Sequence, residues 1–294
     1  MAIQLSKNYT ALLDEVYQAA SLTSVLDSDP NTAKQGAKSN EIMIPKISMD
    51  GLADYSRNSG YVNGDVSLEY ETVQFNYDRG RKLSVDYLDN EETAEVAFGQ
   101  LNAQFLRTKV APEADAFTFA TLCGKDGIST ATGTLSTGAD VISALAAAVD
   151  GMTDDEVPTE KRYLFITAAL NGLIRDMDTT KSREVMASFA GKIVVPQGRF
   201  YTAIDLLDGT TSGETAGGYK KHVSTGASDV AGKDINFMIV HKPAVLKFNK
   251  HIANNIITPE ENQDADAYAM KYRKYGLVDA YENKVAGIYV HHKA

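Results

Sequence analysis

An apolar stripe that changes phase inside one long helical segment constrains this chain more than any other feature. Ala94, Phe98, Leu101 and Phe105 recur at spacings of four and three, one face of a helix. The stripe then jumps to Leu106, Val110, Ala114 and Phe117, with Pro112 at the jump. Proline has no N–H to give the carbonyl of Thr108, so the pattern predicts a helix that kinks there. An interior proline costs about 3 kcal/mol, so something outside the helix must require the bend. The start is marked too. Asp89 can cap the helix with Glu92 reaching back three positions later, and Glu91 and Glu92 sit at the positive end of the dipole.

The residues before this helix do not pack readily into an ordinary globule. Ile42 to Ile47 reads as a strand. Val66, Leu68 and Tyr70 alternate with polar residues, then Val73, Phe75 and Tyr77 continue in the opposite phase. Leu83, Val85 and Tyr87 alternate again after a turn expected at Arg79-Gly80-Arg81. Between the strands, Asp50 to Asp65 is polar, with Gly51, Gly60 and Gly64 as turn signals. The phase flip after Tyr70 predicts either a bulge or a change of buried face. Twelve extended residues reach about 40 Å at ~3.3 Å each, so this hairpin can project beyond its own domain. Half apolar and too short to cover itself, it is expected to find cover on a neighbouring subunit.

Elsewhere the pattern is mixed. Leu12, Leu13, Val16, Tyr17 and Ala20 predict a short amphipathic helix, and Ser28 to Asn40 a polar arm. Gly124 to Gly138 reads as a Gly/Thr/Ser linker and the best domain boundary. Beyond it, a helix around Val141 to Val149, a strand at Tyr163 to Ile166, a helix over Ala168 to Met177 and a strand at Ile193 to Val195 imply an α/β domain. Asp208 to Gly232 reads as a long surface loop, and Ile235 to Val240 as a strand. Pro243 suits the first turn of a helix reaching Lys250. From Ile252 short strands follow, including Tyr268, Met270 and Tyr272, and finally Ile288 and Val290, expected to return and cover the long helix. The expected division is 1–40, 41–88, 89–124, 125–250 and 251–294, an α+β chain throughout.

Chemistry is largely excluded. Gly124-Lys125, Gly191-Lys192 and Gly232-Lys233 lack the remainder of a phosphate-binding loop, and no nucleophile elbow, H-E-x-x-H helix or paired C-x-x-C occurs. His291 and His292 are adjacent, so on a strand they face opposite ways and cannot easily share an ion. Glu260, Glu261, Asp264 and Asp266 beside Lys271, Arg273 and Lys274 read as a solvated, paired surface. No catalytic residue, cofactor or metal is therefore expected. A net charge of −10 argues against gripping nucleic acid through its phosphates, though not against containing it. Cys123 is the single cysteine, expected to be buried and inert, so no intrachain disulfide can form. The start M-A-I-Q-L-S-K lacks the pattern of a signal peptide, and no apolar run approaches a membrane span.

The order of these weak signals is itself informative. Asp54 to Tyr61 (D-Y-S-R-N-S-G-Y), Asp78 to Asp86 (D-R-G-R-K-L-S-V-D), Asp89 to Thr93 (D-N-E-E-T) and Lys109 to Phe117 (K-V-A-P-E-A-D-A-F) resemble, in sequence, the major capsid proteins of tailed bacteriophages. Ile239 to Lys250 and Lys274 to His292 resemble the end of the same proteins, so the likeness spans roughly Glu41 to His292. It implies the Hong-Kong-97-type fold: an N-terminal arm, an extended hairpin loop, a peripheral domain with a long spine helix, and an axial α/β domain. The implied protein is not an enzyme. It is a shell subunit, a homo-oligomer of hexamers and pentamers enclosing double-stranded DNA without sequence-specific binding, assembled in the bacterial cytoplasm into a virion. No long N-terminal scaffold-like extension is evident, which implies a separate scaffolding protein, and a portal is expected as a further partner. Lys46, Arg57, Tyr61, Arg79, Arg81, Glu91 and Glu92 are the candidate intersubunit residues; Arg57 at the loop tip and Arg79 and Arg81 at its base would pair with acids of adjacent subunits. Some relatives weld loop lysines to a neighbour's asparagine, which makes Lys46 and Lys82 crosslink candidates. The rival readings are an encapsulin-type protein compartment and an α/β enzyme with an unrecognised site.

Overall fold

The computed structural model describes residues 21–29, 34–35, 40–88, 96–177, 179–226 and 229–294. The expected helix at Leu12 to Ala20 and the cap formed by Asp89, Glu91 and Glu92 lie outside these residues. A two-residue strand β1 (Lys34–Gln35) precedes β2 (Glu41–Met49), β3 (Val66–Gln74) and β4 (Tyr77–Asp86). Helix α1 (Val96–Phe105), a π-turn (Leu106–Val110) and α2 (Ala111–Cys123) follow, then β5 (Ser129–Thr132), α3 (Gly138–Asp154) and β6 (Arg162–Thr167). Next come α4 (Ala168–Arg175), α5 (Thr180–Ala187), β7 (Gly191–Val195), β8 (Ile204–Leu207) and β9 (Gly218–Lys221). Four strands complete the chain: β10 (Ile235–His241), β11 (Val245–Ile257), β12 (Ala267–Ala280) and β13 (Ile288–His292).

The phase change in the long helix is a π-turn. The Ala111 N–H donates to the Leu106 carbonyl, five residues back instead of four. One residue is thereby inserted, so consecutive Phe105 and Leu106 both reach the same neighbouring sheet. The looser turn directly precedes Pro112, which then occupies the first turn of α2, where its missing N–H is harmless. The Thr108 hydroxyl turns back to donate to the Gln104 carbonyl at 2.7 Å. Two different sheets explain the shift. Leu106, Val110, Ala111 and Ala114 pack on Met270 and Tyr272 of β12 and Leu83 of β4. One turn further, Phe119 and Leu122 pack on Phe165, Met238 and Val290. A straight stripe could not serve both surfaces, and each fully buried side chain is worth about 1.5–3 kcal/mol.

The first of these sheets is antiparallel, in the order β11-β12-β4. The second has five strands in the order β5-β13-β10-β6-β7. Its one face meets α2, Leu26 and Phe200, and its other face meets α3 and α4 through Val141, Leu145, Leu170 and Ile174. Capping boxes start α3 at Thr137 and α5 at Thr179; α5 has no counterpart in the sequence reading.

Several expectations are corrected. The helix expected after Pro243 is a short 3-10 turn that opens directly into β11, because Val245 and Phe248 are buried between layers. A boundary at 250/251 therefore falls inside a strand. β13 does not join the three-stranded sheet beside β12 but lies between β5 and β10, where its Val290 still packs against Phe119 and Leu122 of α2. The linker at Gly124 to Gly138 contains β5, which pairs with β13 in parallel. The loop at Asp208 to Gly232 contains β9, paired with β8. Arg79-Gly80-Arg81 is not a turn but the middle of β4, opposite Lys274, Arg273 and Tyr272. Glycine is needed there because a Cβ at Gly80 would lie 2.8 Å from the Tyr272 carbonyl oxygen.

A buried polar knot fastens the N-terminal segment to this frame. Asp115, fully buried on α2, accepts from the Ser21 hydroxyl (2.8 Å), the Leu22 N–H (3.0 Å) and the Thr23 N–H (3.1 Å) and hydroxyl (2.8 Å). Arg199 pairs at 3.1 Å with Oδ2, the oxygen that also accepts from the Leu22 N–H. Lys247, also buried, donates to the Thr23 carbonyl at 2.9 Å and pairs with Asp27 at 2.8 Å. Leu26, between these contacts, is fully buried in the core.

Candidate assembly surface

The β2–β3 hairpin pairs without a register shift from Glu41 opposite Gln74 to Met49 opposite Val66. No bulge interrupts it, so the flip after Tyr70 is a change of buried face. On one face, Ile42, Ile44 and Val73 pack at the base against Leu246, Phe248 and Leu277. Farther out that face turns polar, with Lys46 opposite Glu69 and Ser48 opposite Ser67. The opposite face does the reverse. There Pro45 and Tyr70, Ile47 and Leu68, and Met49 and Val66 form three opposed pairs, all exposed. Ile47 is 59%, Leu68 54%, Met49 68% and Val66 68% accessible. Scattered surface apolars need no explanation, but a continuous two-strand apolar face does.

The tip continues this surface. Asp50 and Asp65 close it, the Asp65 N–H donating to the Asp50 carboxylate at 2.8 Å. Ser56 and Gly60 bridge, with Gly60 at φ +78°, and the rings of Tyr55 and Tyr61 lie 4.8 Å apart. Tyr61 and Leu52 are almost wholly exposed, and Arg57 stands exposed in the tip turn.

The other candidate residues divide. Lys46 reaches Glu282 of its own chain at 3.1 Å, and this partner holds its ammonium above the usual lysine range. Arg79 is committed internally: it pairs with Glu113 of α2 at 2.7 Å and donates to the Leu207 and Gly218 carbonyls at 2.8 and 3.2 Å. It ties β4, the long helix and the β8–β9 hairpin together. Arg81 donates to the Thr215 carbonyl at 3.0 Å, and Lys82 pairs with Asp264 at 2.9 Å. Glu91 and Glu92 lie outside the described residues.

Between the π-turn, β4 and the β8–β9 hairpin lies a cavity of about 440 Å³. Leu83, Phe105, Val110 and Tyr272 give it apolar walls, and Arg81 and Lys109 line it with no carboxylate partner among the described residues. Sequence reasoning missed Lys109, Asp115 and Arg199. The polar Glu113 and Asp115 inside the small, apolar run A-P-E-A-D-A-F were the available signal.

The histidine pair behaves as two separate groups. His291 stacks on Phe237 and its Nδ1 lies 3.0 Å from the Asn236 amide, while burial pushes its pKa down. His292 Nδ1 lies 2.7 Å from the Lys293 carbonyl. Among the described residues, no group of three His, Cys, Asp or Glu could hold a metal ion, and no helix is long and apolar enough to cross a membrane. Cys123 sits at the edge of the core, where burial pushes its thiol pKa up.

This mixed frame with a projecting, half-apolar hairpin is an α+β architecture that recurs in solved structures of capsids. Three solved structures place it more closely. The capsid of Staphylococcus phage Andhra matches at TM-score 0.54 and 13% identity, over 90% of this chain and 84% of that one. The capsid of cyanophage P-SCSP1u matches at TM-score 0.54 and 12% identity, over 89% and 85%. A virus-like particle from Pyrococcus furiosus matches at TM-score 0.57 and 11% identity, over 96% of both chains. No family model matches the chain, and no curated protein sequence is similar to it. The likeness is one of fold, and the fold is that of tailed-phage capsid proteins.

Proposed function

We propose that this chain is a major capsid protein, building the icosahedral head shell that encloses the double-stranded DNA of a tailed phage or prophage. The carrying observation is the uncovered apolar face of the hairpin, which runs along both strands opposite a polar face. Within this reading the hairpin is the extended loop of the Hong-Kong-97-type fold, and α1, the π-turn and α2 form the spine helix. The three-stranded sheet is the core of the peripheral domain and the five-stranded sheet that of the axial domain. The role is structural and not enzymatic.

The mechanism is distributed binding. Ile47, Met49, Val66, Leu68 and Tyr70 are between 46% and 68% exposed, so covering each yields about 1 kcal/mol, roughly half the value for complete burial. Five such residues give on the order of 5 kcal/mol per hairpin before the costs of association. Modest by itself, that contact is multiplied in a closed lattice, where each further contact forms at high effective concentration. Of the candidate basic residues, Arg57 and Arg81 remain available to acids of a second copy. The Arg81–Lys109 cavity is the natural place for such acids: its other charged residues are Arg79 and Glu113, which pair with each other, and Asp208, which accepts from Thr210 and Thr211. Hexamers, pentamers, a scaffolding protein and a portal belong to this reading.

Negative-stain microscopy and sedimentation of the overexpressed chain, alone and with a scaffolding protein, test it. Capsomers or closed shells are expected. Deleting Gly51 to Gly64 should leave a folded subunit that no longer closes shells. A compact single subunit at every concentration and with every partner supplied would overturn the proposal. Packaged enzyme in place of DNA would favour the compartment reading.

A further inference from the structure

Away from the hairpin, one side chain is held in an unusual way. His222 follows β9, and its ring lies between two carboxylates. Nδ1 is 2.5 Å from Asp205 Oδ1 on β8, and Nε2 is 2.8 Å from Asp229 Oδ1 on the following loop. Asp229 in turn accepts from the Thr225 N–H at 2.9 Å and lies near the Thr225 hydroxyl at 3.3 Å. The His222 carbonyl accepts from the Gly232 N–H at 3.0 Å, and its own N–H donates to the Ala203 carbonyl at 3.1 Å. One imidazole therefore links β8, the end of β9 and the loop. The loop carries Val223 and Val230, 68% and 76% accessible, each directly next to a member of the link.

We propose that His222 is a proton-operated clasp that fastens this loop to β8 when the imidazole is charged and opens one side when it is neutral. The argument is one of hydrogen inventory. Only the doubly protonated ring can donate to both carboxylates; the neutral ring has one N–H, so a lone pair must face the other carboxylate. The nearby cations do not substitute for that proton. Lys221 is paired with Asp234 at 2.7 Å, Lys293 with the same Asp234 at 3.2 Å, and Lys220 with Glu214 at 3.1 Å. The charged groups facing the ring are thus Asp205 and Asp229.

The direction of the pH effect follows. Asp205 and Asp229 hold the His222 pKa above its ordinary value, chiefly through their hydrogen bonds to the ring. The clasp's contribution is complete below the ordinary histidine pKa of about 6.5 and is lost as pH rises through the higher folded-state value. Asp229 is held below the usual carboxylate range, so its side of the clasp persists into acid until that carboxylate is protonated. The device is a property of the subunit and does not depend on the shell reading.

Amide hydrogen exchange on the unassembled subunit, corrected for intrinsic pH dependence, tests the idea at Thr225, Asp229 and Gly232. Their protection should fall about tenfold between about pH 6 and pH 9, while His222→Gln should show weaker, pH-independent protection. The His222 ring resonance should titrate with a midpoint above 6.5, and Asp229→Asn should lower that midpoint while keeping the Asp205 contact. Protection in the native chain that does not change with pH, or a His222 midpoint at or below the ordinary value, overturns the proposal.

Discussion

Replacing Asp115 with Asn removes a charge and almost no volume, so it isolates the electrostatics of the knot that anchors residues 21–27. The native carboxylate accepts from four groups of the segment and pairs with Arg199, and the side chain is wholly buried. Asparagine keeps one acceptor oxygen and turns an NH2 group toward groups that are themselves donors. Hydrogen bonds to a charged group are worth about 1.5–3 kcal/mol each, but they are not additive within one network. Breaking a buried ion pair by removing one partner costs about 3–5 kcal/mol. We therefore expect a loss of about 4 kcal/mol. For a chain this long, about 2 °C accompanies each kcal/mol, so Tm should fall by about 8 °C. Calorimetry of the unassembled subunit measures this, with Ser21→Ala as a comparison that removes one donor and should cost about 1–2 kcal/mol. The amides of Leu22 and Thr23, which donate directly to the carboxylate, should lose exchange protection in the Asn variant. A Tm within about 2 °C of the native value, with those amides still protected, would refute the reasoning.

Two further outcomes follow from the same geometry. Leu68→Glu and Ser67→Glu place the same charge on neighbouring residues of β3 that face opposite ways; the first should abolish assembly and the second should permit it, with subunit stability changed by no more than about 0.5 kcal/mol in either. Sedimentation checks this, and equal effects would show that the apolar face is not the contact. Burial pushes Tyr219 to about 12, and its hydroxyl donates to the Gly198 carbonyl at 2.8 Å. Its contribution to stability is present below the ordinary tyrosine pKa of about 10 and fades as pH rises through about 12. Difference absorbance titration of native against Tyr219→Phe should place this ionisation after that of the exposed tyrosines.

Some of this was legible residue by residue. The stripe from Leu101 to Ala114 and its jump near Pro112 are local periodicity, and they located the discontinuity in the helix. The alternation at Val66 to Tyr70, followed by the opposite phase from Val73, likewise marked a hairpin with either a bulge or a change of buried face, and the unbroken pairing of the structure decides for the change of face. Other features were not legible, because their cause is not local. Val245 to Lys250 follows a proline that suits a helix start, yet it is a strand because Leu246 and Phe248 fill the space beneath the hairpin base. Ile288 to His292 is five residues with nothing local to choose between two sheets. Asp115 reads as one acid in an apolar run, and its partners lie between 84 and 94 residues away in sequence.

By itself, then, the amino-acid sequence determined the elements whose signal repeats within a few residues: the long interrupted helix, the two-faced hairpin, and the absence of recognised catalytic motifs. Tertiary structure alone decided which sheet each strand joined, that Arg79 and Lys46 are held within their own chain, and that His222 sits between two carboxylates. Periodicity records which side of an element is apolar. Pairing partners and charge contacts are set by the packing of segments distant in sequence, which no local pattern specifies.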